Sequence, residues 1–135
     1  MFKSFDGFMT CLLSGAILTT LFGELNKALI FLFVMMVLDL ITGIMCGAYT
    51  HTVSSSICIK GLMKKFMVLV YIIIAHFTDY LLDVDYVKTG VCYMYGVGEV
   101  ISIIENGVIL GVPIPKPILK ALEIIHGGDD DENIR

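Results

Sequence analysis

Asp39, Asp79, Glu99 and Glu105 are carboxylic acids set in stretches otherwise apolar enough to cross a bilayer. An ionised carboxylate in hydrocarbon is costly, so acids in such positions pair with a neighbouring helix or face water. The chemistry open to them is hydrogen bonding, ion contact or the lining of a wet path. Their neighbours at helical spacing are polar or small. At about 100° per residue, Gly98, Glu99, Ser102, Glu105 and Asn106 fall within about 120° of one helix face. His76, Asp79, Tyr80 and Asp83 share a second face at i, i+3, i+4 and i+7. Asp39, Thr42, Gly43, Cys46 and Gly47 share a third, in which Gly43 and Gly47 form a small-x-x-x-small contact pattern.

Two meanings of these stripes stay open. They are helix–helix glue with each acid protonated or hydrogen-bonded in a bundle, or they line water once protomers assemble. His76 alone reads as a packing histidine more readily than as a proton relay. No nucleophile–His–acid set, phosphate loop or metal-ligand cluster is present, so neither enzyme nor cofactor is expected. Cys11, Cys46, Cys58 and Cys92 have no paired spacing, and three of them lie in apolar segments where cysteine acts as a small hydrophobe.

The elements that must carry the stripes follow from hydropathy. Phe8–Phe22 is a fifteen-residue apolar segment, roughly 22 Å as a helix, against a hydrocarbon core of ~30 Å. It either spans with local thinning or lies in the interface. A signal peptide is disfavoured, because no small-residue cleavage site follows and the chain stays hydrophobic. Ala28–Tyr49, a segment from about Lys65 to Leu82, and one from about Thr89 to Val112 are long enough to span. Pro113, Pro115 and Pro117 end the last of these in an extended linker. Ile118, Leu119, Leu122 and Ile125 then recur at helical spacing opposite Lys116, Lys120 and Glu123, which predicts a short interfacial amphipathic helix.

The fold class is therefore an all-α integral membrane protein. It is a small bundle of three transmembrane helices, an N-terminal membrane-embedded helix and a short C-terminal amphipathic helix. One membrane domain over residues 1–126 is expected, then an acidic flexible tail over 127–135. The composition agrees: 57% hydrophobic and 16% charged residues, with mean hydropathy +0.88, lie far from a soluble domain. The net charge of −4 is matched by Asp129, Asp130, Asp131 and Glu132 alone, so the rest is near neutral. No basic patch suggests a nucleic-acid partner. Lys60, Lys64 and Lys65 precede the third segment, and Lys116 and Lys120 follow the fourth, whereas Lys88 stands beside Asp83 and Asp85. Counting positive charge near span ends makes Lys60, Lys64 and Lys65 topology determinants and puts the C-terminus in the cytoplasm.

Leu38-Asp39-Leu40-Ile41-Thr42-Gly43-Ile44, Ser54-Ser55, Gly61-Leu62-Met63-Lys64-Lys65, Asp79, Glu99, Ser102-Ile103-Ile104-Glu105-Asn106 and Gly111-Val112-Pro113-Ile114-Pro115 form an ordered set of motifs. In order and spacing the set resembles the phage and toxin-release holin family. The resemblance implies a multi-pass protein of the bacterial inner membrane that assembles with itself and permeabilises the bilayer. A peptidoglycan (murein) hydrolase or a large toxin would then leave the cytoplasm. The acidic tail departs from the basic C-terminus common in that family. Asp39, Thr42, Gly43, Gly47, His76, Asp79, Gly98, Glu99, Ser102, Glu105 and Asn106 are the candidates for pore lining or oligomer contact. Two other functions fit the same residues: a small cation channel or transporter subunit, in which the acids bind ions, and an antiholin-type regulatory partner.

Overall fold

In the computed structural model five helices follow one another: α1 (Phe2–Phe22), α2 (Lys27–Tyr49), α3 (Ser55–Leu82), α4 (Val87–Ile109) and α5 (Lys116–Glu132). The structure describes residues 2–51 and 55–132. Ser54 of the loop motif and the last three residues of the acidic tail lie outside them. Among the described residues there is no strand, as the all-α expectation requires.

Among the described residues, three helical stretches are long and apolar enough to cross a membrane: Lys27–Tyr49, Ile59–Leu82 and Val87–Ile109. Side chains such as Val37, Ile41, Phe66, Ile74, Met94 and Val97 point outward. In water they would form a large apolar surface, whereas lipid accepts them at no cost. The apolar part of α1, Leu12–Phe22, is shorter.

α2 and α4 form the most extensive helix pair, α3 packs along α4, and α1 touches α3. The core between them contains Ala28, Leu29, Leu32, Met36, Val68, Ile72 and Cys92. Gly96 permits the close approach of α2 to α4. A Cβ at that position would lie 2.4 Å from a ring carbon of Phe31.

Two boundaries differ from the sequence pattern. α3 starts at Ser55 and not near Lys65, so Lys60, Lys64 and Lys65 are helical and not loop residues. The stretch contains no proline, and its one glycine, Gly61, weakens a helix by only about 1 kcal/mol. Gly61 and Lys65 are half-buried while Lys60 and Lys64 are exposed, so this extra length already has an inner and an outer face. At the other end, α5 continues through Gly127 and Gly128 to Glu132, where a tail was expected to begin.

The helix ends are closed by local bonds. Gly23 follows α1 with φ +70° and donates to the Thr19 carbonyl at 2.9 Å, a left-handed cap that glycine adopts without strain. Asn26 caps α2 by accepting from the Leu29 amide at 2.8 Å. α4 ends in two bonds, Gly111 N–H to the Val108 carbonyl and Val112 N–H to the Gly107 carbonyl, each 3.0 Å. The helix therefore stops before the prolines, and these prevent its resumption until Lys116.

Candidate functional site

The polar stripes of α2 and α4 meet, and a cation from α3 joins them. Asp39 is ten residues from the Tyr49 end of α2, Lys65 ten from the Ser55 end of α3, and Glu99 ten from the Ile109 end of α4. At 1.5 Å per residue Asp39 and Glu99 lie about 15 Å from the same end of the bundle, half of a ~30 Å hydrocarbon core. Lys65 reaches them from about 9 Å inside the apolar stretch of α3 that begins at Ile59. The Lys65 ammonium donates to Asp39 Oδ2 at 2.9 Å and also to Glu99 Oε2. The three side chains are only 13–16% exposed. In a medium of low dielectric such contacts are strong, and an unpaired charge there is correspondingly unfavourable.

Hydrogen bonds extend the cluster along the α2–α4 seam. Asn106 Nδ2 donates to Thr42 Oγ1 at 3.0 Å and to Asp39 Oδ1 at 3.3 Å. Ser102, on the same stripe of α4, stands beside the Asp39 carboxylate. Thr42 returns its own hydroxyl proton to the Asp39 carbonyl at 3.1 Å, and the Cys46 thiol donates to the Asn106 carbonyl at 3.1 Å. A Cβ on Gly43 would stand 3.9 Å from Asn106 Nδ2, ordinary contact distance. Of the sequence-derived candidates, Asp39, Thr42, Gly43, Glu99, Ser102 and Asn106 thus converge on one place. Gly47 is half-buried further along the same helix. Gly98 is exposed, with open space where a Cβ would stand. Glu105 is half-buried at the edge of the α4 stripe.

Lys65 is the member that the topology count assigned elsewhere. Its signal was present: Lys65, Val68, Ile72, Ala75 and Asp79 recur at three- and four-residue steps, and the last four are buried. Lysine at the head of that stripe points inward with it.

Asp79 and His76 belong to a second polar cluster at the opposite end of the bundle. Asp79 is 7% exposed. Its carboxylate accepts from the Val87 and Lys88 amides, both at 2.9 Å, and so caps α4 from the end of α3. Lys88, 8% exposed, sends its ammonium to the Phe22 and Glu24 carbonyls at 3.1 and 3.2 Å. A cation there satisfies carbonyls that the end of α1 leaves unpaired. The His76 ring lies against Gly23, where a Cβ would meet it at 2.6 Å. Asn26 Nδ2 donates to Thr89 Oγ1 at 3.1 Å, which ties α2 to α4. This cluster fastens helix ends together. Tyr80 and Asp83, from the same sequence stripe, are exposed.

Among the described residues no group of three His, Cys, Asp or Glu side chains is placed to hold a metal ion. The geometry at mid-span is that of a polar, charge-bearing seam enclosed by apolar helices.

Comparison with known proteins agrees with that geometry. Residues 16–127 match the model of the bacteriophage holin family. A Clostridium perfringens protein, described as an uncharacterized 14.9 kDa protein in the nagH 3′ region, is 38% identical over 114 residues, covering 83% of this chain and 86% of that one. An uncharacterized Listeria monocytogenes protein is 35% identical over 122 residues, covering 87% and 86%. A protein of Bacillus phage phi105 described as a probable holin is 30% identical over 113 residues, covering 83% of each chain. No solved structure matches significantly. With three helices able to span a bilayer and this match over most of its length, the chain is a multi-pass membrane protein that belongs to the bacteriophage holin family.

Proposed function

We propose that the protein is a holin. It assembles with copies of itself in the bacterial inner membrane and opens the bilayer, so that a murein hydrolase or a large toxin leaves the cytoplasm. The observation that carries this reading is the meeting of Asp39, Lys65, Glu99 and Asn106 between the apolar helices, midway along α2 and α4. Within one chain these groups pair with each other, so the outer surface of the bundle suits lipid. If α3 parts from the α2–α4 pair in an assembled state, the same groups are unpaired and water becomes their best partner. A lumen lined by them is then favoured over a dry one.

The C-terminus is cytoplasmic in this proposal. Lys65 is taken up by its ion pairs, but Lys60 and Lys64 near the start of α3, with Lys116 and Lys120 at the start of α5, retain the bias. A reporter active only outside the cytoplasm, fused after Arg135, should be silent; strong activity would reverse the orientation.

The release function is tested by induced expression in a bacterium alongside a cytoplasmic murein hydrolase. Growth should stop abruptly after a delay, with loss of membrane potential and hydrolase-dependent lysis. A cation channel would dissipate ion gradients yet keep the folded hydrolase inside. Membrane-inserted protein with neither loss of potential nor lysis would remove the proposal.

A further inference from the structure

The mid-span cluster carries a charge imbalance. Two carboxylates, Asp39 and Glu99, face one ammonium, Lys65. Seen from each packed element, the titratable or charged groups on the seam are Asp39 and Cys46 from α2, Lys65 from α3 and Glu99 from α4, with Glu105 at its edge. The remaining partners, Thr42, Ser102 and Asn106, are neutral. Among the described residues the other lysines do not correct the balance: Lys27, Lys60, Lys64, Lys116 and Lys120 are exposed, and Lys88 is bonded at the opposite end of the bundle. With both acids ionised, a net negative charge would sit about 15 Å from the helix ends, where hydrocarbon screens nothing.

We propose that the Asp39–Lys65–Glu99 site binds one exchangeable proton, shared between its two carboxyl groups, and is electrically neutral while the three helices are packed. Binding forms one O–H bond on a carboxylate oxygen and moves no electrons. The hydrogen bonds say where the proton resides. Asp39 accepts from Lys65 on one oxygen and from Asn106 on the other, an arrangement that favours the ionised form. Glu99 accepts from the same ammonium on Oε2, so both carboxyl groups stand on a single nitrogen. Glu99, with fewer donors than Asp39, therefore carries the proton. A metal ion does not suit the same place, because the Lys65 ammonium occupies it and repels a second cation. The inference concerns the closed chain and does not depend on the release function proposed above.

The test is infrared spectroscopy of the full-length protein in lipid vesicles at neutral pH, reading the C=O stretch of a protonated carboxyl. Slow labelling of the buried Cys92 thiol serves as the criterion of intact packing. The wild type should show the band, with a shift in deuterium oxide. Both Glu99→Gln and Asp39→Asn should lose it, since each leaves one carboxylate for one ammonium. Lys65→Met should roughly double it, because both acids then need protons. Glu105→Gln should leave it in place. A packed wild type without the band overturns the proposal. So does a band that survives both Glu99→Gln and Asp39→Asn, or one that Glu105→Gln abolishes.

Discussion

Replacing Lys65 by methionine removes the cation of the mid-span site and keeps the length and apolar stem of the side chain. In the parent, the Lys65 ammonium donates to the Asp39 carboxylate at 2.9 Å. Without that ammonium, Asp39 must take up a proton or remain as an uncompensated charge in hydrocarbon. Protonating an ordinary aspartate at pH 7, with pKa near 3.9, costs about 4 kcal/mol. That agrees with the ~3–5 kcal/mol found on breaking buried ion pairs, and the methionine recovers a little by needing no desolvation. A net loss of about 3–4 kcal/mol in the packing of α3 on α2 and α4 is expected, a change of roughly 10²- to 10³-fold in the opening equilibrium.

Cys92 gives the readout. It is fully buried in the core that α2, α3 and α4 enclose, so a maleimide reaches it only when the helices part. In a chain whose other cysteines are serine, labelling of Cys92 in Lys65→Met should accelerate by that factor at pH 7. The sign of the pH dependence follows. The variant packs with Asp39 neutral, so packing takes up a proton that the open state does not hold at pH 7. The penalty therefore fades as pH falls, to about 1.5 kcal/mol at pH 5. The labelling ratio of variant to parent should shrink accordingly, and Asp39→Asn in the Lys65→Met background should restore most of the protection. Equal insertion with labelling within twofold of the parent would show that Lys65 does not hold the helices together.

Gly96→Leu should force α2 from α4, since even a Cβ meets the Phe31 ring at 2.4 Å. A loss of ~1–3 kcal/mol is expected, seen as faster Cys92 labelling and relieved by Phe31→Ala; no relief would mean that Phe31 is not the obstacle. Asp79→Ala removes the acceptor for the Val87 and Lys88 amides and should weaken the first turn of α4 by ~1–2 kcal/mol. Hydrogen exchange at those two amides should rise about tenfold, and unchanged exchange would deny the cap. Glu105→Leu should insert normally yet block or retime lethality, whereas Val97→Leu on the exposed side of α4 should not. Identical lysis timing for Glu105→Leu and the parent would take Glu105 out of the mechanism.

Much of the mid-span seam was legible from spacing because α2 and α4 repeat their polar residues at helical intervals. Asp39 with Thr42, and Glu99 with Ser102 and Asn106, each fall on one face before any fold is known. Which faces meet is a different kind of information, and no pattern within a single helix contains it. Lys65 shows the limit. A lysine near the start of an apolar run counts equally as a flank charge or as the head of the buried Val68–Ile72–Ala75–Asp79 stripe. Its two acids sit 26 and 34 residues away. The Asp79 carboxylate illustrates the same limit at shorter range. It caps a helix other than its own, because the turn at Asp83, with φ +53°, brings the start of α4 back over the end of α3. The stripe drawn through His76, Asp79, Tyr80 and Asp83 consequently divides, two residues inward and two outward.

The wide separation of the partners in the mid-span site has a consequence for how the chain is made. A ribosome delivers Asp39 to the membrane 26 residues ahead of Lys65 and 67 ahead of Asn106. When α2 first enters the bilayer, its acid has neither partner, and a nascent chain interrupted at that stage carries an uncompensated polar group in hydrocarbon. α2 must then either wait at the insertion machinery or enter with Asp39 neutral, and it gains its ion pair only when α3 arrives. Chains truncated after Tyr49 should accordingly be turned over faster than chains truncated after Leu82, and Asp39→Leu should abolish the difference; pulse–chase labelling measures it. Equal turnover of the two truncations would mean that Asp39 enters the membrane without waiting for its partner.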